Sequence, residues 1–335
     1  MRLKIGIIGT NFISSDFCEA AALIPEAELY AVCSRKQETG NGFAGKHGIS
    51  RVYTDYDAFL ASGLDAVYVA SPNFVHCEQT LKALSRGKHV LCEKVMAVNE
   101  TQVQSMIDCA RKNGLILLEA MRPDFDPAYG LIEKALPRLG RLSRATFEFC
   151  QYSSRYDRFL NGESVNTFNP DLCNAAVMDI GVYCIHSLVR LFGMPKQIRS
   201  CSVKLENGFE GSGAVLLQYD SMTAEAVYSK TAVSVTPSVI QGEKGSLLID
   251  YVSRPETLEL RLRKGSRDPL SGGSTEMLPY TPAENNMIYE IRKFIRLIKD
   301  KDVNHKYLQY SLDTIRIIDE VRRQNGIIFP GEDIK

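Results

Sequence analysis

Through the first part of the chain, short apolar runs alternate with stretches of helical period. Runs at residues 3–9, 28–33, 52–53, 65–70, 88–93 and 115–119 read as strands. Between them, residues 17–23, 37–47, 56–61, 75–85 and 100–112 carry helix patterns. Ser14 or Ser15 is placed to cap the first of these helices, while Gly87 and Asn113-Gly114 supply stop signals for the last two. Strands that alternate with helices through short loops predict a parallel, doubly wound α/β sheet.

After Met121 the pattern changes. A helix over 127–136 and an alternating strand over 144–149 lead into a polar, irregular stretch, 153–171, long enough to be a functional loop. A helix over 175–192 follows, stopped by Gly193 and Pro195. Strand-like runs then come in quick succession at 198–205, 213–219, 223–229, 238–241, 246–250 and 257–262, which predicts an open, mostly antiparallel sheet. Helices over 284–299 and 307–324 close the chain. The expected division is a doubly wound domain, 1–121, followed by an α+β domain, 122–335. An open sheet with helices on one side leaves a face that wants a partner, so a homodimer or homotetramer through the second domain is expected.

Composition narrows the function classes. The chain has 335 residues, enough for two cores, with 44% hydrophobic and 24% charged residues. Forty basic residues balance forty acidic ones, so no global field draws it to nucleic acid or an anionic membrane. Nine cysteines without CxxC spacing fit reduced thiols better than a disulfide framework or a zinc site, and no metal is expected. The first residues run straight into a strand pattern, and no apolar run is read as approaching the ~20 residues that spanning a bilayer needs. These features lead to the expectation of a cytoplasmic protein with no membrane and no nucleic-acid partner.

Four places carry candidate chemistry. After the first strand, Gly9-Thr10-Asn11-Phe12-Ile13-Ser14 stands where a dinucleotide fingerprint, G-x-G-x-x-G, would cradle a pyrophosphate on a helix N-terminus. Only its first glycine is intact; Asn11 tolerates a left-handed backbone better than most residues, and Ser14 is small enough for close packing. The second strand ends in Ser34-Arg35-Lys36 with no carboxylate, which suits a 2′-phosphate and predicts NADP over NAD. The fifth strand ends abruptly in Glu93-Lys94, and open parallel sheets bind ligands at such carboxyl ends. In the second half, Asp179, Tyr183 and His186 fall at i, i+4 and i+7 on an otherwise apolar helix. Such a stripe is either a satisfied core network or the wall of a site for a small polar substrate. Arg122, just past the sixth strand, can reach that substrate, and Arg155 and Tyr156 lie in the irregular loop.

Together, Gly9-Thr10-Asn11, Ala70-Ser71-Pro72-Asn73 with His76, Glu93-Lys94 and Asp179-Ile180-Gly181-Val182-Tyr183 resemble the Gfo/Idh/MocA oxidoreductase family over nearly the whole chain. The resemblance implies an N-terminal Rossmann domain, a C-terminal domain on an open sheet used for oligomerisation, and NAD(P)-dependent chemistry on sugars, inositols and diols. Tyrosine at position 183 looks most like the dihydrodiol dehydrogenase and sugar dehydrogenase branches. Carried over, the family places Lys94 near the reacting hydroxyl and the nicotinamide, makes Tyr183 the acid/base, and sets Asp179 beside them as substrate contact or orienting carboxylate. Ser71, Pro72, Asn73 and His76 would line the cofactor channel, with Glu93 placing the nicotinamide end. The sequence departs from the family at Asn11, at Val95 where Glu-Lys-Pro is usual, and at Asn174-Ala175-Ala176 before Asp179.

These roles make chemical sense. Alcohol oxidation needs a base for the hydroxyl proton while hydride leaves for the nicotinamide. A phenol, with a pKa near ~10, is too weak an acid alone, and a neighbouring ammonium favours its phenolate. The expectation is an NADP-dependent alcohol/carbonyl oxidoreductase, which requires Lys94 and Tyr183 to converge on one nicotinamide. The alternative is a non-catalytic NAD(P)-binding sensor on the same fold.

Overall fold

The computed structural model describes residues 2–264 and 273–332. Its contacts divide the chain into two units: 1–125 with 284–312, and 126–283 with 313–335.

The first unit is a six-stranded parallel sheet, ordered β3-β2-β1-β4-β5-β6. Its strands are β1 (Leu3–Ile8), β2 (Ala27–Cys33), β3 (Val52–Tyr53), β4 (Ala66–Val69), β5 (His89–Glu93) and β6 (Leu117–Ala120). The helices are α1 (Phe12–Ala22), α2 (Gln37–His47), α3 (Tyr56–Leu60), α4 (Asn73–Ser85) and α5 (Glu100–Asn113). This is the doubly wound arrangement that the alternating pattern implies, with the order reversing between β1 and β4. Central strands are buried on both faces, which is why they read as unbroken apolar runs.

A late helix, α9 (Met287–Asp300), belongs to this unit and not to the second, as a boundary at Met121 would have it. Its buried residues Met287, Ile291, Phe294 and Ile295 share one core with Phe17 and Ala21 of α1 and with Ile5, Ile7, Tyr68 and Leu91 of the sheet. An amphipathic helix goes where its apolar stripe is buried, whatever its place in the chain.

The second unit is built on an eight-stranded sheet, ordered β14-β13-β12-β11-β7-β10-β9-β8. Its strands are β7 (Leu142–Cys150), β8 (Gln197–Lys204), β9 (Glu210–Gln218), β10 (Thr223–Ser229), β11 (Ser238–Gly242), β12 (Gly245–Ile249), β13 (Leu258–Leu262) and β14 (Ser274–Met277). All neighbours pair antiparallel except β7 and β10. Helices α6 (Pro127–Ala135), α7 (Tyr156–Leu160) and α8 (Val182–Phe192) also belong here, and α10 (Tyr307–Gln324) runs across the division. β14 and α7 have too little periodicity to be read from sequence.

The irregular loop builds a small core of its own, with Phe168 and Val165 packed on Phe209 and flanked by Tyr156 and Phe159. One expectation fails. Among the described residues the helical run Pro170–Phe192 is long and apolar enough to cross a membrane by length and composition alone. That run is a core helix here, with 78% of its most apolar window buried in the fold.

Candidate functional site

In the first unit the chemistry gathers at the carboxyl ends of β1, β4 and β5. Gly9 has φ +103°, and a Cβ there would stand 2.3 Å from the Ala70 carbonyl oxygen, so β1 can turn beside the end of β4 only with glycine. Asn11 does something other than take a left-handed backbone. It is the extended N-cap of α1, with φ −91°, and its Oδ1 accepts the Ser14 N–H at 3.0 Å. Its Nδ2 donates to the Ala70 carbonyl at 2.9 Å, tying the helix start to β4. Ser14 is therefore buried inside the helix and caps nothing. The first-turn N–H groups of Phe12 and Ile13 lie next to Thr10 at a positive dipole end. A closely approached backbone without a Cβ at Gly9 fits a dinucleotide pyrophosphate.

Ser34 ends β2 and is buried, its N–H donating to Tyr53, while Arg35 and Lys36 are exposed. That leaves two cations at the position where a ribose 2′ substituent is read.

From Val90 to Val98 every residue is buried except Lys94, which is half-buried at the end of β5. The loop behind it is held from several sides. Glu119 accepts the Met96 N–H at 2.8 Å. His76 is buried with Nδ1 2.9 Å from the Val95 carbonyl and Nε2 2.8 Å from the Ser71 carbonyl. With both ring nitrogens facing backbone, His76 braces the ends of β4 and β5 and does not offer a nitrogen to a cofactor. Burial lowers its pKa, and the two carbonyls oppose that. Ser71 donates to Gln79 at 2.6 Å, Pro72 is the N-cap of α4 and Asn73 its first residue.

Glu93 is buried behind Lys94 and accepts a hydrogen bond from Tyr68 at 2.5 Å. Burial raises its carboxyl, and the Tyr68 hydroxyl, Arg122 and Lys94 oppose that. Glu290 of α9 is fully buried, and neither of its carboxyl oxygens has a hydrogen-bond partner among the described residues. Burial and then the charge of Glu93 push the Glu290 carboxyl well above its ordinary value, and Arg122 pulls the other way. Arg122 thus acts on two buried carboxyls of its own unit.

In the second unit the polar stripe splits. A turn of π-helix, Val177–Gly181, precedes α8. The wider turn carries Asp179, whereas Tyr183 and His186 lie three positions apart on regular α8, about 60° from each other around its axis. Asp179 and Tyr183 are half-buried, with the Tyr183 ring 5.7 Å from Phe149. His186 has turned into the core: it is fully buried, and its Nδ1 lies 3.0 Å from the Thr314 hydroxyl of α10. The expectation that His186 contacts substrate is therefore corrected to a satisfied core histidine.

The π turn is fixed from beneath. Glu210 of β9 accepts the Val177 N–H at 2.8 Å and the Tyr228 hydroxyl at 2.8 Å. Tyr228 needs Gly181 over it, since a Cβ at that position would come within 2.7 Å of its ring. Beside the turn lies a residue that sequence reasoning missed. Lys230, just past β10, is buried and forms an ion pair with Asp179, with its ammonium 5.6 Å over the Phe168 ring. A lone lysine directly after an apolar strand was the available signal. Arg155 and Tyr156 are used locally, Arg155 donating to the Thr167 hydroxyl at 2.5 Å and Tyr156 joining the loop core.

Residues 3–121 match the model of the oxidoreductase family with an NAD-binding Rossmann fold. Over 98% of its length the chain is 40% identical to the scyllo-inositol 2-dehydrogenase (NADP(+)) IolU of Bacillus subtilis (strain 168), covering 99% of that protein. Over 99% of each chain it is 28% identical to the trans-1,2-dihydrobenzene-1,2-diol dehydrogenase of Sus scrofa. Among solved structures, the KijD10 3-ketoreductase from Actinomadura kijaniata shares the fold, with a TM-score of 0.80 at 22% identity over 96% of this chain and 97% of that one. With a relative this similar along its whole length, the chain belongs to the Gfo/Idh/MocA family of oxidoreductases.

Proposed function

We propose that this oxidoreductase transfers hydride between NADP and a CH–OH group of a small uncharged polyol of the inositol type, or of a related diol. Tyr183 is the acid/base, Lys94 its assisting cation and Asp179 a substrate contact. The observation that carries this reading is the full-length likeness to an NADP-dependent scyllo-inositol dehydrogenase, joined to the presence of Lys94, Asp179 and Tyr183 in the same chain.

When bound, NADP supplies the hydride acceptor. The chain's residues do the rest. Gly9 and the start of α1 take the pyrophosphate, and Arg35 with Lys36 takes the 2′-phosphate. The carboxyl end of β5 presents Lys94 from a braced loop. In oxidation the Tyr183 oxygen receives the substrate hydroxyl proton, and in reduction it returns one. A positive charge supplied by Lys94 favours the phenolate form that this requires.

We also infer a cytoplasmic enzyme that associates as a homodimer or homotetramer through the eight-stranded sheet. Val203, Leu216 and Met277 on its strands are exposed within the single chain. A non-catalytic sensor finds no favouring observation. The test is incubation with NADP or NAD and a panel of inositols, sugars and trans-diols, following reduced nicotinamide. Turnover of a polyol or diol with a lower KM for NADP supports the reading. Tight cofactor binding with no turnover across the panel refutes it.

A further inference from the structure

The Asp179–Lys230 pair is lopsided. Lys230 has a side chain 6% exposed, whereas that of Asp179 is 41% exposed. A buried ammonium needs a counter-charge, because an uncompensated one costs several kcal/mol. Among the described residues the recorded contacts of its head are Asp179 and the Phe168 ring. The backbone of Lys230 is fixed as well: its N–H donates to Gly211 at 2.9 Å, and its carbonyl accepts the Ser153 N–H at 2.9 Å. Lys230 thus has a rigid base, a covered stem and one anion at its tip. Asp179 sits on the π turn that Glu210 holds from below.

We propose that Lys230 is a positioning residue for the reaction: it fixes the orientation and the ionised state of Asp179, so that the pair takes a hydroxyl of an uncharged polyol. This rests on the reading of Asp179 as a substrate contact. A carboxylate held by a buried ammonium is an acceptor with its charge already balanced. Such a group accepts a hydroxyl proton well, but does not draw in an ammonium-bearing ligand. Buried too deeply to contact substrate itself, Lys230 acts through Asp179. Other titratable groups on the elements packed against the π turn are Arg144, Glu148 and Cys150 of β7, Glu210 of β9, Glu225 and Tyr228 of β10, and Tyr183, Cys184, His186 and Arg190 of α8. Of these, Glu210 and Tyr228 bond to each other.

The test compares full-length wild type, Lys230→Met and Lys230→Arg by turnover of whichever polyol the wild type accepts, and by 13C NMR titration of the Asp179 carboxyl. The signal is assigned by its loss in Asp179→Asn. Lys230→Met is expected to lose about 10²-fold in kcat/KM, the scale of a misplaced contact, while NADP affinity stays within about twofold. The Asp179 carboxyl should titrate at higher pH in that variant, and Lys230→Arg should restore part of both. Folded Lys230→Met with normal kcat/KM, or with an unmoved Asp179 titration, overturns the proposal. Should Lys230→Met not fold, Lys230→Gln decides by the same readouts: a lowered kcat/KM with an Asp179 carboxyl that titrates at higher pH supports it, and a wild-type kcat/KM or an unmoved titration overturns it. The titration needs no substrate, so a wild type inert towards every polyol would refute the proposed function separately.

Discussion

Tyr68 donates a hydrogen bond of 2.5 Å to Glu93, and both are buried directly behind the strand end that presents Lys94. Tyr68 also stacks on Phe17 of α1, with ring centroids 3.8 Å apart. One phenol therefore joins helix α1 to the strand end that carries Lys94. Removing its hydroxyl in Tyr68→Phe leaves a buried carboxyl short of a donor. The expected cost is about 1–3 kcal/mol, read as a lower denaturation midpoint in urea. An unchanged midpoint would mean that Glu93 is satisfied by other groups.

Gly9 and Asn11 make separable predictions. Gly9→Ala places a methyl against the Ala70 carbonyl at a φ that L-residues avoid. It should weaken NADP binding about 10-fold or more, on the 1–3 kcal/mol scale of local backbone strain. Asn11→Ala removes a helix cap and a tie to β4, and should cost about 1 kcal/mol of stability with a smaller effect on affinity. Fluorescence titration with NADPH and a thermal melt on each variant tell the two apart.

Glu210 sets a pH dependence. Burial pushes its carboxyl up to about 7, outweighing the hydrogen bonds it accepts. The folded chain holds this proton in a range where the unfolded chain has lost it. Its contribution is therefore full below about 4.5, the ordinary value, and is lost as pH rises through about 7. The linked stability amounts to about 3 kcal/mol at most. Urea midpoints measured at about pH 5 and about pH 8 should differ in wild type, and differ less in Glu210→Gln. Equal slopes in the two proteins would rule this out.

Much of this was legible from residue order. The end of β5 could be read because an apolar strand stops at a charged pair, and the β/α alternation followed from apolar runs buried on both faces. His186 could not be placed, because residues three apart on α8 differ by about 60° around the axis, enough to leave Tyr183 half-buried and turn His186 into the core. Lys230 was hidden for a different reason. Its partner lies 51 positions away, brought in by the packing of the π turn on the sheet. Asn11 was read for backbone tolerance when its side chain was the useful part. Helix α9 joined the first unit because its apolar stripe matched α1, a long-range fit that local period does not reveal.

The central claim is that the Tyr183 oxygen moves the substrate proton, and its most direct test is steady-state turnover of Tyr183→Phe with NADP and the best polyol of the panel. The variant should fold, bind NADP like the wild type and lose about 10²-fold or more in kcat, the usual share of a positioned acid/base. Turnover close to that of the wild type would contradict the account.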